Sequence, residues 1–408
     1  MRQKLKINYF ITIFLIVSLP LLAQYQDVRS GINNILTAMP AGTMWSILVV
    51  DAETNDTVYT YGHRNVMIPA SNTKVVTSAA ALHLLGGDFI LATELRYSGS
   101  ISTTGVLTGD LYLKGLGNPL FTTKDLETFV AKFKKSGVRE ITGNIVGDDS
   151  YFDDLYSRSQ YVGSGEYDYE TYPLSALVLD KNIWITGNKF TTPPFAIAEK
   201  LKAALEKEGI RIDGKAVSGV MPRGCSLVAT SEVRLAELLK IVNKRSDNFY
   251  AEYTMKLISA AVNGERGNTK NGIKLCIGFL NESGAYLKGT SLADGSGLSR
   301  RNQIPTGVIV KIYEYIYGNQ VFRSQFFSTL SISGVDGTLR SRMEQANGDN
   351  NLKGKTGTLS GVITLSGYFK TKRGRDMIGA VFFNYTYGYP DYYRGLQDQI
   401  FNLLIDKL

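Results

Sequence analysis

Pro69-Ala70-Ser71-Asn72-Thr73-Lys74-Val75-Val76-Thr77-Ser78-Ala79-Ala80-Ala81-Leu82 is the stretch on which the fold turns. Its alanines and other apolar residues recur at helical spacing and the run stops at Gly86-Gly87, so a buried helix is predicted from Ser71 to Leu85. Ser71 then stands at a helix N-terminus, and Lys74, three positions on, shares its face at neighbouring-side-chain distance. A serine hydroxyl needs a base to become a nucleophile. Lys74 supplies one only when neutral, so its pKa must fall from about 10.4 by roughly three units through burial or a nearby cation. The backbone N–H groups of the helix start can help hold an oxyanion. About one or two chance S-x-x-K matches are expected in a chain of ordinary composition and this length. Here the pattern occurs once, directly after Pro-Ala and opening an apolar helix.

Two further short motifs lie downstream. Ser246-Asp247-Asn248 falls between helical stretches predicted over Ser231–Asn243 and Asp247–Asn263, where by itself it reads as a helix cap or turn. Lys355-Thr356-Gly357-Thr358 falls on a strand predicted over Asn351–Thr358, and Gly357 there weakens the strand unless a ligand or another backbone approaches closely. S-x-x-K, S-D-N and K-T-G in this order are the set shared by class A β-lactamases and penicillin-binding proteins, and they point to a serine-acylating enzyme. Lys355 is a candidate for the cation that lowers Lys74. The only histidines, His63 and His83, sit beside no nucleophile motif, which disfavours a His-based triad. With no C-x-x-C spacing either, no metal and no cofactor are expected.

Outward from these motifs, Met44–Asp51 and Thr57–Tyr61 read as a hairpin that starts the mature fold. Val362–Phe369 and Met377–Tyr385 follow the K-T-G strand as antiparallel partners, and Tyr392–Leu408 is a final amphipathic helix covering the sheet. The ends of the chain, residues 24–90 and 229–408, are therefore expected to form one catalytic domain. Residues 91–228, with short β-like runs, Gly and Asn turns and many tyrosines, are expected to form one or more β-rich inserted domains.

The chain opens with Arg2, Lys4 and Lys6, an apolar run over Tyr9–Leu22 and Ala23, the layout of a signal peptide cleaved near Ala23, which implies export to the periplasm or another extracytoplasmic space. That run is short of the about 20 residues a membrane span needs, so at most peripheral membrane contact is expected. The net charge of +8 falls to +5 without the three leader cations, and no clustered basic stripe argues for nucleic acid. Cys225 and Cys276 are the only cysteines, and the sequence leaves open whether they pair.

Ser71 and Ser246 are 175 positions apart. With this spacing, and with Pro69-Ala70-Ser71, Gly109–Leu113, Gly143–Asp148, Ser246–Glu252, Asp294–Arg300, Gly334–Leu339 and Lys355–Thr358, the chain resembles the class C low-molecular-mass penicillin-binding proteins, the D-alanyl-D-alanine carboxypeptidase/endopeptidase family. The resemblance implies a mixed α/β fold: a penicillin-binding/serine β-lactamase-like catalytic domain, an antiparallel sheet flanked by helices, with domains inserted between the first two motifs. It implies Ser71 as nucleophile, Lys74 as general base and Ser246 as proton relay to the leaving amine. Asn248 would bond the substrate amide, Lys355, Thr356 and Thr358 would bind the terminal carboxylate with Gly357 in the same substrate-binding stretch, and the backbone N–H groups of Ser71 and Thr358 would form the oxyanion hole. Asp148, Phe152 and Arg342 are candidates for meeting a zwitterionic diamino acid side chain. Asn118 and Ser360 depart from relatives that carry Asp and Gln there. Peptidoglycan peptides and β-lactams are the implied partners. A serine β-lactamase shares the three motifs but must deacylate fast, and no Glu-bearing loop of the class A kind is evident. A non-catalytic wall-binding or β-lactam-sensing protein is the third alternative.

Overall fold

The computed structural model describes residues 24–166, 171–185 and 192–408, so the predicted leader lies outside the described residues. Among them, the two ends of the chain build one six-stranded antiparallel sheet in the spatial order Ser331–Ile332, Lys353–Leu359, Val362–Lys370, Asp376–Asn384, Met44–Asp51 and Thr57–Tyr61. Alternation of side chains sends Ile47, Val49, Val381 and Phe383 to one face and Leu48, Val50, Ala380 and Phe382 to the other. Both faces are covered, giving three layers. The first face packs on the C-terminal helix Pro390–Lys407 through Leu396, Ile400, Phe401 and Leu404. The second packs on the helix Thr306–Tyr317, behind which the helices Thr73–Leu85 and Asn248–Asn263 extend the same core.

The expected hairpin forms, but it does not start the described chain. A helix over residues 24–36 precedes it and places Tyr25, Val28, Ile32 and Leu36 in the same core as the C-terminal helix. That apolar spacing is helical and legible; its place immediately after the predicted leader obscured it.

Residues 90 to 234 build a second unit that is less purely β than expected. Its five-stranded sheet runs Ala216–Ser218, Ile145–Asp148, Leu111–Leu116, Ile90–Tyr97, Ser226–Arg234. Helices Thr123–Lys135 and Pro193–Lys207 connect the parallel strands among these and pack on them through Phe129, Phe133, Ile197 and Leu201. A small four-stranded sheet, Ser100–Ile101, Val106–Thr108, Glu140–Ile141 and Arg211–Ile212, completes it. The helix predicted from Ser231 begins only at Leu235, because Ser226–Arg234 is drawn into antiparallel pairing with Ile90–Tyr97. The chain thus leaves and re-enters the frame through two adjacent strands.

Cys225 and Cys276 are both buried and free, and burial pushes the Cys276 thiol up to about 12. No helix among the described residues is long and apolar enough to cross a membrane.

Candidate active site

Ser71 sits in a single 3₁₀ turn, Ala70–Asn72, that runs into the helix Thr73–Leu85. Ala70 has φ 46°, a left-handed value, and Thr73 Oγ1 donates to its carbonyl at 3.0 Å. Asn72 is fully buried. Its Nδ2 donates to Lys355 O at 3.2 Å and Thr364 Oγ1 at 2.8 Å, and its Oδ1 accepts from Ser366 Oγ, so the turn is fixed to two sheet strands. A Cβ at Gly357 would lie 2.2 Å from Thr364 Oγ1 and 2.9 Å from both Pro69 O and Ser71 N. The glycine that weakens its strand is therefore what lets the nucleophile turn rest against it.

Lys74 is fully buried, and its Nζ donates to Ser71 Oγ at 3.0 Å, Asn248 Oδ1 at 2.7 Å and Ser296 O at 2.6 Å. Burial pushes its pKa from the ordinary 10.5 to about 8, against the pull of Asp294, Glu252 and Asp247 and with the help of Arg158. The expected cation, Lys355, is not what lowers it. Lys355 is itself driven well below its ordinary value, by burial and by Lys74. Repulsion between two ammonium groups is mutual, and it falls on Lys355 because the carboxylates gather round Lys74 instead. Lys355 Nζ donates to Ser246 Oγ at 2.8 Å and to Thr356 O at 2.7 Å.

Ser246 joins the helices Leu235–Lys244 and Asn248–Asn263 with φ 56°, and Asp247 caps the second helix by accepting from Tyr250 N at 3.2 Å. Strained backbone at both Ala70 and Ser246 is the kind of cost that persists where surrounding structure over-determines a site. Ser71, Ser246, Asn248, Thr356, Gly357 and Thr358 all line one cleft of about 950 Å³.

Beneath the cleft lies a charge network that sequence reading missed. Arg158, on the short helix Arg158–Tyr161 and fully buried, donates to Glu252 Oε1 at 2.9 Å, Asp294 Oδ2 at 2.8 Å and Glu166 Oε2 at 3.0 Å. Glu252 in turn accepts from Gly295 N at 3.0 Å and Ser296 N at 3.1 Å, and Asp294 from Gly297 N and Ser299 N, both at 2.7 Å. This holds the loop whose Ser296 carbonyl receives Lys74. Burial works against the Arg158 charge, but Glu252 and Asp294 outweigh it and hold its pKa above the ordinary value. Glu252 stands one helical turn after Asn248, a spacing that marks a shared face. Arg158 sits among tyrosines with no motif to flag it.

The three residues expected to meet a diamino acid do not come together. Phe152 is fully buried against Tyr253, with ring centroids 4.8 Å apart. Asp148 is buried in the second unit, where it accepts from Lys114 Nζ at 2.8 Å and Met221 N at 2.7 Å. Neither lines the cleft, because apolar packing takes one and an internal ion pair the other. Arg342 does line it, with its guanidinium held by Asp398 at 2.6 Å. Asn118 ties a turn to Ser231 O at 3.2 Å, and the Ser360 carbonyl accepts from Arg300. His83 contacts Glu282 and Tyr315 away from the cleft. Among the described residues no three His, Cys, Asp or Glu side chains gather as a metal-binding group.

A buried lysine on a serine one turn away, an S-D-N junction and a K-T-G strand around one cleft define the penicillin-binding class of active-site-serine enzymes. The chain belongs to the D-Ala-D-Ala carboxypeptidase 3 (S13) family, whose model matches residues 28–190 and 187–391. It is 27% identical to the D-alanyl-D-alanine carboxypeptidase of Actinomadura sp. (strain R39), over 86% of this chain and 80% of that protein. Penicillin binding protein 4 (dacB) of Haemophilus influenzae shares the fold with TM-score 0.81 at 24% identity, covering 92% of this chain and 99% of that one. The same protein has been solved complexed with a novel β-lactam, at TM-score 0.74. A peptidoglycan endopeptidase of Bdellovibrio bacteriovorus shares the fold more distantly, at TM-score 0.57 and 16% identity over 87% of this chain and 90% of that one.

Proposed function

We propose that this enzyme is a serine D-alanyl-D-alanine carboxypeptidase acting on peptidoglycan stem peptides through an acyl-enzyme on Ser71. The observation that carries the reading is Lys74 Nζ at 3.0 Å from Ser71 Oγ, with burial pushing its pKa down to about 8. Neutral Lys74 takes the Ser71 proton as Oγ attacks the carbonyl of the penultimate D-alanine. The backbone N–H groups of Ser71 and Thr358 receive the oxyanion, each such donor being worth about 2.7–4 kcal/mol in the transition state. Asn248 bonds the substrate amide. Thr356, Thr358 and Lys355 receive the terminal carboxylate, and the arriving anion favours the charged form of Lys355 that burial and Lys74 otherwise suppress. Ser246 passes a proton to the departing amine, D-alanine leaves, and water releases the acyl group. On a cross-linked peptide the same steps are endopeptidase cleavage. A β-lactam imitates the substrate and acylates Ser71. The fold family and the predicted leader support a place in the cell-wall compartment outside the cytoplasm.

Ser71→Ala is expected to release no D-alanine from a muropeptide pentapeptide and to form no penicillin adduct, with products and adducts read by mass spectrometry. Wild-type release in that variant would sink the mechanism. A long-lived wild-type adduct separates the peptidase from a β-lactamase. For the wild type, acylation is expected to rise with pH through about 8, since Lys74 acts as a base only after losing its proton. A rate flat across that range would remove Lys74 from the base role.

A further inference from the structure

Asp180, Lys181 and Asn182 have φ of 50°, 57° and 57°, three left-handed residues in succession, none of them glycine. Such a conformation costs about 1–2 kcal/mol per residue, and here it is enforced from both ends. Asp180 accepts from Thr123 N at 3.1 Å and its own N–H donates to Phe121 O at 3.0 Å. Asn182 is fully buried, accepting from Leu179 N and donating to Pro173 O, both at 3.0 Å. The outcome of this strain is the direction of one side chain. Lys181 crosses from the inserted unit to the S-D-N junction, where its Nζ donates to Asp247 Oδ2 at 2.7 Å. It lies over the rings of Tyr250 at 4.9 Å and of Phe249 and Tyr172 at 5.7 Å each.

Asp247 has two tasks for its two oxygens. Oδ1 caps the helix that begins with Asn248, and Oδ2 is held by Lys181. Ser246 on one side of it touches Lys355, and Asn248 on the other touches Lys74. The charges that act on Lys74 are Asp294, Glu252 and Asp247 on the one hand and Arg158 on the other, with Lys355 beyond Ser246. Of the three carboxylates, Asp294 and Glu252 are matched by Arg158, and Lys181 is the cation that matches Asp247.

We infer that Lys181 is a positioning residue of this site: held by a strained turn of the inserted unit, it clamps Asp247, which fixes Ser246 and Asn248 and mutes the Asp247 charge felt at Lys74. This rests on the acyl-transfer reading above. Without the ammonium, Asp247 loses its ion-pair partner, with Arg245 the cation that remains near the junction and Asp180 and Tyr250 the other titratable groups around it, and its pull on Lys74 favours the charged form. The test is acylation of the full chain by a fluorescent penicillin, followed across neutral to alkaline pH. Lys181→Met is expected to slow acylation roughly tenfold to a hundredfold, the scale of a small misplacement in an organised site, and to move the rising limb of the pH profile to higher pH. Lys181→Arg, which keeps the cation, is expected to hold both near wild type. Adding Asp247→Asn to Lys181→Met, with asparagine still able to cap the helix, is expected to bring the limb back. An unmoved limb and rate in Lys181→Met would overturn the inference. So would a slower enzyme whose limb stays in place and which Lys181→Arg does not rescue, since that describes packing alone. Failure of the underlying reading looks different: the wild type itself would form no Ser71 adduct.

Discussion

Lys74→Met is expected to slow acylation of Ser71 by about 10²- to 10⁴-fold, the usual contribution of a positioned base, with little change in melting temperature. Two opposing terms set the second half of that expectation. Holding Lys74 at about 8 instead of 10.5 costs the folded state about 3 kcal/mol at neutral pH. Methionine removes that cost. It also leaves Asn248 Oδ1 and Ser296 O without the donor they share, and a buried acceptor left unmet costs about 1–3 kcal/mol. The terms are of similar size and opposite sign. The pH dependence gives an independent check. Because the folded pKa lies below the unfolded one, the unfolded chain binds more protons at this group between about pH 8 and 10.5, so Lys74 adds a stability term that rises with pH through that window. Lys74→Met should lose that term, so the stability difference between wild type and variant should shift in favour of wild type as pH rises through the window. A variant whose acylation falls only in proportion to its folded fraction would make Lys74 a structural residue.

Arg158→Met is expected to be strongly destabilising. It strands Glu252 and Asp294, whose side chains are both fully buried, and breaking a buried pair by removing one partner costs about 3–5 kcal/mol. Burial already holds Glu252 above its ordinary value with Arg158 in place, and without the guanidinium it is expected to take up a proton more readily still, its pKa moving further up. The sign then follows: the variant is least handicapped at acid pH and loses stability as pH rises through that raised value. Thermal melts of wild type and variant across acid to neutral pH would show the gap widening upward. A constant gap would mean that the loss is packing and not charge. Activity should fall even where the variant is folded, because the N–H groups of Gly295 and Ser296 lose the anchored carboxylate that positions the Ser296 carbonyl on Lys74.

The chemical parts of the site were legible in the sequence because each is tied to a local signal. Ser71 and Lys74 are spaced by a helical turn, Asp247 is a cap, and Gly357 is an anomaly in a strand that the close approach of Ser71 resolves. The central sheet was legible for the same reason, since Val362–Lys370 and Asp376–Asn384 are rich in β-branched and aromatic residues, such as Val362, Ile363, Phe369, Val381 and Phe383. What failed was whatever depends on distant partners. Ser226–Arg234 has a polar, helix-tolerant sequence and becomes a strand only because Ile90–Tyr97 lies beside it. Arg158 and Lys181 belong to a region read as β-rich and remote, and their meaning lies largely in carboxylates far along the chain, 94 and 136 positions further on for Arg158 and 66 for Lys181. Asp148 and Phe152 were placed by resemblance, and burial turned both away from the cleft.

The pairing of Met44–Asp51 with Asp376–Asn384 has a further consequence, one of timing. Met44–Asp51 must wait for a partner on the far side of the inserted unit, so the frame cannot close until Asp376–Asn384 has been made. The two sheets of the inserted unit pair only within residues 90–234 and are free to form before then, whereas its links through Arg158 and Lys181 wait for the catalytic helices. This order keeps the acylating serine unassembled until the strand Asp376–Asn384 is in hand, so the reactive centre is among the last parts of the frame to come into being.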